Sequence, residues 1–437
     1  MSSWRHSLSL SLALFIVGSL NPGAALSQGV SSLRTVTLDE AIRLALEHDP
    51  ATIAAEGNIA SAEADRLEVR GSWLPGLTLN TSYGNSSNQR FDQATGRLVS
   101  ESYSAAASAS YELFDGGRRI FQGRSVDARL RTADANYRAQ SYQTILRTTE
   151  SFYNTLAAAE LVEVARQRLD RAEQQLEFAR TRLEVGTATR SDLLRAELEV
   201  GSAELALVDS ESNYRSAQLQ LGRLLGIEGG VEPTATELPG RAPGLPPLEE
   251  LFLRAERTAP DLLAARAALD ERGAQRWAQR TSYLPTLRLT GGYDWFSFQW
   301  PPDQRSWSLR LVASLPIFNG FQREASLARA SIAERTARAR VRDAELAVQV
   351  AVEDARQEIY SAERRVEIAE RSVELAREDL RVQEERYQLG NATIIELQTS
   401  QVALAEAEAA EVRARQALGT AIARLEAVVG ERIVIGD

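Results

Sequence analysis

The sequence predicts a mainly α-helical chain of two structural repeats that also supplies strands to a membrane β-barrel. Three observations predict it. Two proline-free stretches of helix-forming residues are far longer than ordinary globular helices, four segments alternate apolar with polar residues, and the first half of the chain resembles the second.

The chain opens with Arg5 and His6, an apolar run from Leu8 to Leu20, and small residues leading to Ala25, Leu26 and Ser27. A run this short falls below the ~20 residues that cross a bilayer, and an A-x-S pattern follows it, which reads as a cleavable export signal over residues 1–27. No later segment reaches a dozen consecutive apolar residues, so any passage through a membrane is expected as strands.

The repeat is explicit. Leu38 to Pro50 (LDEAIRLALEHDP) matches Leu248 to Pro260 (LEELFLRAERTAP), and Leu74-Pro75 matches Leu284-Pro285. Further along, Phe114-Asp115-Gly116 matches Phe318-Asn319-Gly320, and Arg182 to Leu193 (RLEVGTATRSDL) matches Arg386 to Leu397 (RYQLGNATIIEL). The sequence offset between partners changes after Tyr83 and Tyr293, where each strand pair is expected to turn. The first repeat spans 28–226, a linker rich in proline and glycine spans 227–247, the second repeat spans 248–430, and a tail covers 431–437.

Each repeat reads as helix, strand, loop, strand, very long helix, tight turn, second helix. The first helix is expected to be continuous from Leu38 to about Gly71. From about Arg118 to Glu184 there is no proline and only one glycine, Gly123, which predicts a helix of ~100 Å; its counterpart runs from about Gln322 to Leu389. Ile359, Val366, Val373, Leu380 and Tyr387 recur every seven residues with Ala355, Ala362 and Ala369 beside them. Val162, Leu169, Leu176 and Leu183 repeat the pattern in the first half, a coiled-coil seam in which alanine permits close approach. A second stripe, Ile368, Leu375, Val382 and Leu389, gives the helix apolar surface on another side, as helices in a closed ring require. An ordinary long helical hairpin remains an alternative on these stripes alone.

The alternating segments put Leu77, Leu79 and Tyr83 on one face, and Tyr103, Ala105, Ala107, Ala109 and Tyr111 opposite Ser102, Ser104, Ser108 and Ser110. In the second half Leu287, Leu289, Tyr293 and Trp295 oppose Arg288, Thr290 and Asp294, and Trp307, Leu309, Leu311 and Ala313, continuing to Ile317, oppose Ser306, Ser308 and Arg310. These read as strands of roughly ten residues, with Tyr83, Tyr103, Tyr111, Tyr293, Trp295 and Trp307 as candidate membrane-interface aromatics. A soluble sheet alternates in the same way. Four strands cannot close a barrel, and open edges do not survive in hydrocarbon, so the strands imply an oligomer. Eight strands leave an interior filled by side chains whereas twelve leave a lumen, so an open conduit favours a trimer.

The repeat, the LP strand starts, the F-D-G-G and P-I-F-N-G corners, and the V-G-T-A-T-R-S-D-L-L and L-G-N-A-T-I-I-E-L turns together resemble the TolC-type outer membrane efflux protein family over essentially the whole mature chain. The resemblance implies a homotrimer with a twelve-stranded β-barrel in the cell outer membrane, continuous with a twelve-helix α-barrel in the periplasm. It implies an exit duct for efflux or type I secretion, fed by an inner-membrane efflux pump or ABC transporter through a periplasmic adaptor (membrane fusion) protein. The partners implied are these proteins and outer-membrane lipid.

By the same resemblance the two turns form a periplasmic tip. The adaptor would dock on Arg182, Val185, Gly186, Thr187, Arg386, Leu389, Gly390 and Asn391, and the channel would narrow at a gate formed by Asp192, Tyr387 and Glu396. Asp192 and Glu396 each follow a glycine by six residues and would form rings of like charge in a trimer. Tyr387 matches a family position that bonds the acid at Asp192, a closing latch. Where some relatives carry a further acid this chain has Thr399, and where some carry an arginine it has Ala392. Gly186 and Gly390 suit left-handed helix ends, and Thr189 or Ser191 and Thr393 suit the following caps.

Composition argues against an enzyme. The mature chain has one histidine, His48, no cysteine, no lysine and no glycine-rich phosphate loop, so no cofactor or metal is expected. The formal charge of -10 disfavours nucleic acid as a partner. A periplasmic coiled-coil scaffold without a pore is the alternative, and the four amphipathic strands discriminate against it.

Overall fold

A computed structural model describes residues 33–92, 96–234, 238–242 and 244–432. The expected export signal and, apart from Glu431 and Arg432, the tail lie outside the described residues. Among those residues the chain forms β1 (Arg34–Val36), α1 (Leu38–His48), α2 (Pro50–Gly71), β2 (Gly76–Asp92), β3 (Arg97–Phe114), α3 (Arg118–Glu184) and α4 (Arg190–Leu224). There follow β4 (Val231–Pro233), α5 (Leu248–Thr258), α6 (Pro260–Arg280), β5 (Thr286–Ser297), β6 (Gln304–Ser314), α7 (Gln322–Gln388) and α8 (Ile394–Val429).

Four details differ from the sequence expectation. The helix expected from Leu38 to Gly71 is two helices, because Pro50 lacks an N–H and holds Asp49 in an extended conformation at ψ 120. Asp49 ends α1 and caps α2, accepting the Thr52 N–H at 3.0 Å; the same break recurs at Ala259-Pro260. The first strand pair has 17 and 18 residues rather than about ten, against 12 and 11 in the second. The last strand stops at Ser314 instead of Ile317, since Pro316 cannot donate to a ladder. The linker holds β4, which pairs in parallel with β1. A three-residue strand is too short to show a period.

The helices α3 and α7 have 67 residues each. Toward the turns the columns run α4, α3, α8, α7, and toward the strands they run α2, α3, α6, α7. The seven-residue stripe expected to form the seam is fully buried in α7, where Ile359, Val366, Val373, Leu380 and Tyr387 are all core residues; in α3 Val162 is buried with Ala165 and Ala172, and Leu169, Leu176 and Leu183 are half-buried. The second stripe is exposed in the single chain, with Leu375 at 63% and Leu389 at 76%, and α4 exposes Leu198, Leu205 and Val208 at the opposite end of the row. The sheet repeats this logic. Its order is β2-β3-β5-β6, antiparallel throughout, with β2 and β6 as unpaired edges.

Candidate functional site

The two turns opposite the strands are built alike. Gly186 and Gly390 stand at φ 75 and 78, in the left-handed region that closes a helix without a Cβ clash. Around Gly186 the Thr187 N–H reaches the Arg182 carbonyl at 2.8 Å and the Gly186 N–H reaches Leu183 at 3.0 Å, while Asn391 and Gly390 do the same to Arg386 and Tyr387. Both long helices therefore end in Schellman motifs, leaving Val185 and Leu389 exposed beside the glycines.

Thr189 and Thr393, rather than Ser191, begin the next helices. Thr189 accepts from the Asp192 N–H and Asp192 Oδ2 accepts from the Thr189 N–H at 2.9 Å and its hydroxyl at 2.8 Å. Thr393 and Glu396 repeat the box at 2.7 and 2.9 Å. The spacing T-x-x-D/E is a capping-box signature, so the two candidate gate acids have a local structural role legible in sequence but not read there. The Thr393 backbone bond, then its hydroxyl, holds the Glu396 carboxyl below its ordinary range.

Tyr387 is 5% exposed and lies in a core with Ala179, Ala196, Val373, Leu380, Ile394 and Leu397, which merges the two hairpins into one packed tip. Burial, opposed by Arg182 and assisted by the charge of Asp192, raises its phenol pKa. Among the described residues the Asp192 carboxylate accepts from Thr189 through Oδ2, and no hydrogen bond joins it to Tyr387. What crosses between the hairpins is Arg182. Its Nη1 donates to the Tyr387 carbonyl at 2.8 Å and its guanidinium lies over the Tyr387 and Phe178 rings, 5.1 and 5.8 Å from their centroids. Its repeat partner Arg386 stays local, donating to the Asn391 carbonyl at 3.2 Å and lying 4.0 Å from Glu396. Gln398 adds a second tie, to the Arg195 carbonyl at 3.1 Å. Neither Phe178 nor Gln398 was a sequence candidate.

At the other end each long helix meets the sheet through an arginine. The buried Arg119 guanidinium bonds the carbonyls of Ser72 and Glu112, lies 4.4 Å from the Trp73 centroid and pairs with Asp115. Arg323 holds the carbonyls of Pro316 and Ile317 and lies over Tyr283 at 4.7 Å. A Cβ on Gly116 would come within 2.8 Å of the Thr281 carbonyl, which fixes glycine where the two repeats touch. These corners set the direction in which the helices leave the sheet.

The sheet has one apolar face carrying Leu77, Leu79, Leu289, Leu309 and Leu311, and one polar face whose facing hydroxyls bond in pairs, Thr78 with Ser108 and Ser82 with Ser104. On the apolar face Tyr83 pairs with Tyr103, their rings 5.1 Å apart, and Tyr293 pairs with Trp307 and lies 4.6 Å from the Trp295 ring. These five aromatics occupy the loop-side half, while Tyr111 stands near the helix-side end under Arg119. Among the described residues no helix is long and apolar enough to cross a membrane, and no group of acids and histidines is arranged to hold a metal.

Residues 41–227 and 252–431 match the family model described as outer membrane efflux protein. Protein CyaE of Bordetella pertussis is 27% identical over 298 residues, covering 67% of this chain and 62% of that protein. Outer membrane protein TolC of Vibrio cholerae is 25% identical over 273 residues, 62% of this chain and 61% of the relative. The chain thus spans about three fifths of the length of these curated relatives. A solved structure of CusC, described in terms of folding and transmembrane channel formation, superposes with a TM-score of 0.80 at 19% identity, over 90% of this chain and 92% of that one. The outer membrane protein VceC of Vibrio cholerae superposes with a TM-score of 0.74 at 18% identity, over 90% and 96%. Both likenesses concern the fold.

Proposed function

The chain belongs to the outer membrane efflux protein family, and on that premise we propose that it is the outer-membrane exit duct of a tripartite efflux or type I secretion system, working as a homotrimer. The observation that carries the proposal is the pair of unfinished edges. β2 and β6 end the sheet unpaired, and α4 and α7 end the helical row with exposed apolar stripes, all on one continuous pair of flanks. An unpaired strand edge costs several kcal/mol per backbone group in hydrocarbon, so the β6 edge of one copy must meet the β2 edge of the next. The contact is head-to-tail and finishes only in a ring.

Three copies give twelve strands around an open lumen and twelve helical columns. The flanks supply the driving force: burying side chains such as Leu198, Leu205, Ile368 and Leu375 contributes about 1.5–3 kcal/mol each when complete. The apolar face with its aromatics then meets lipid and the hydroxyl-rich face lines the passage. The duct is passive. Its cargo comes from an inner-membrane pump through a periplasmic adaptor that docks at the exposed turn residues Val185, Thr187, Leu389 and Asn391.

Gating belongs to the tip. In the ring, Asp192 and Glu396 of three copies stand at common heights and favour cations, and the Asp192 Oδ1, which its capping box does not use, is the atom directed to a neighbouring copy. Arg182 and Tyr387 hold the two hairpins of each copy as one body. Outer-membrane fractions test the reading: detergent-dependent extraction of a trimer that conducts in planar bilayers is expected, and a protein soluble without detergent would refute it.

A further inference from the structure

The polar face of the sheet carries four charged side chains that do not balance where they stand. From the helix end outward, Glu112 lies beside Arg288, then Ser110, Thr290 and Arg310 share a level, and Ala106, Asp294 and Ser306 share one two rungs beyond. Glu112 is claimed twice, by Arg288 at 3.8 Å and Arg118 at 3.5 Å. Among the described residues no acid lies within ion-pair distance of Arg310, and Asp294 is four residues along the ladder, ~13 Å away. The intervening positions, Ser108, Gly292 and Ser308, are small and uncharged.

We propose that Arg310, backed by Arg288, forms an anion-binding ring in the barrel lumen that engages carboxylate, phosphate or sulfonate groups of outgoing cargo. The proposal rests on the trimeric-duct reading, because a threefold axis brings the three Arg310 to one height. Within a narrow lumen with low-dielectric walls their potentials add, and rings of arginine are the means by which pores favour anions. A guanidinium also presents its N–H donors in a fixed fork that matches such oxyanions. The short hydroxylated side chains at the same level leave the guanidinium groups accessible. An anion that passes Arg288, whose charge Glu112 partly offsets, is drawn to Arg310 and held there, because the Asp294 level beyond opposes its passage toward the outer side. The sign is opposite to that of the acids at the tip, so the two ends of the duct would act on different groups of one cargo.

The test uses the purified full-length trimer in planar bilayers, with inositol hexakisphosphate added on the strand side as an impermeant anionic probe. The wild type is expected to show concentration-dependent block that weakens with salt. Arg310→Gln should weaken it at least tenfold and shift the reversal potential in a KCl gradient toward cations, Arg288→Gln with Arg310→Gln should shift it further, and Arg310→Lys should retain most of the block. A conducting wild-type trimer that the probe does not block overturns the ring, as does block unchanged by Arg310→Gln. Absence of a trimer or of any channel current would instead strike the duct reading beneath it.

Discussion

Replacing Arg182 by methionine would keep the aliphatic stem that covers Tyr387 and delete only the guanidinium. Two interactions go with it: the charge-assisted bond to the Tyr387 carbonyl at 2.8 Å, about 1.5–3 kcal/mol for bonds to charged groups, and the stacking over two rings, about 0.5–1 kcal/mol at exposed sites. Arg182 is half-buried, so solvent recovers part of this, and a net loss of about 2 kcal/mol is expected. That corresponds to a roughly 30-fold rise in the population with the two hairpins separated. Hydrogen–deuterium exchange of the trimer should then report faster exchange, by about that factor, in amides of residues 180–196 and 386–400, with the strands unchanged. The seam farther from the tip, around Val352 and Ile359, should also stay protected. Arg386→Met, which deletes only a local contact, should accelerate exchange in the second turn alone. If Arg182→Met leaves both turns as protected as in the wild type, the tie between hairpins is carried by the apolar core, and the reasoning about Arg182 fails.

Loss of the second capping box through Thr393→Ala should destabilise the start of α8 by about 0.5–2 kcal/mol, read as faster exchange at 394–398 with little effect at 190–194. The pH dependence follows from the depressed Glu396 carboxyl: its folded value lies below its unfolded one, so the contribution is present above the unfolded value of about 4.3 and lost as pH falls through the folded one. Exchange at 394–398, corrected for intrinsic rate, should rise below about pH 4 in the wild type and be flat in Glu396→Gln. Asp49 is 6% exposed and accepts bonds from Thr52 and Thr144, so Asp49→Ala removes a cap and leaves the mutually bonded Thr52 and Thr144 hydroxyls one acceptor short, costing about 2–4 kcal/mol and lowering the thermal midpoint by several degrees. Leu375→Glu places a charge on the exposed stripe of α7 and should lower the trimer fraction on blue-native gels without altering the helicity of the monomer.

How far the sequence carried the fold depends on period length. The 67-residue helices repeat their apolar positions over many turns, so the buried set Ile359, Val366, Val373, Leu380 and Tyr387 could be named in advance. The strands were placed by alternation, but their lengths were not, because the loop-side extensions of β2 and β3 carry polar residues such as Ser86, Ser87 and Asn88 that break the pattern. The break between α1 and α2 was signalled by Pro50 and outweighed by the helical composition on both sides. β4 pairs three residues with a strand almost two hundred positions away, a contact no local pattern encodes.

At the tip the glycines and threonines were legible as turn chemistry. The capping role of Asp192 and Glu396 is encoded in the T-x-x-D/E spacing, which sets each acid three residues after its threonine, whereas their charge is visible from composition alone. The role of Arg182 was not accessible, because its partner Tyr387 lies in the other repeat, and the equivalent Arg386 has the same local sequence setting with a different contact. Imperfect symmetry between repeats appears only when the two hairpins are packed together.

Closure of the sheet and of the helical row depends on how many copies finish the edges. The protein mass of the particle extracted from outer-membrane fractions, measured by light scattering with the detergent contribution subtracted, should equal three chains. A particle of one or two chains, or recovery of the protein in the soluble fraction, would contradict the closed ring of twelve strands on which the duct, its gate and its arginine ring all depend.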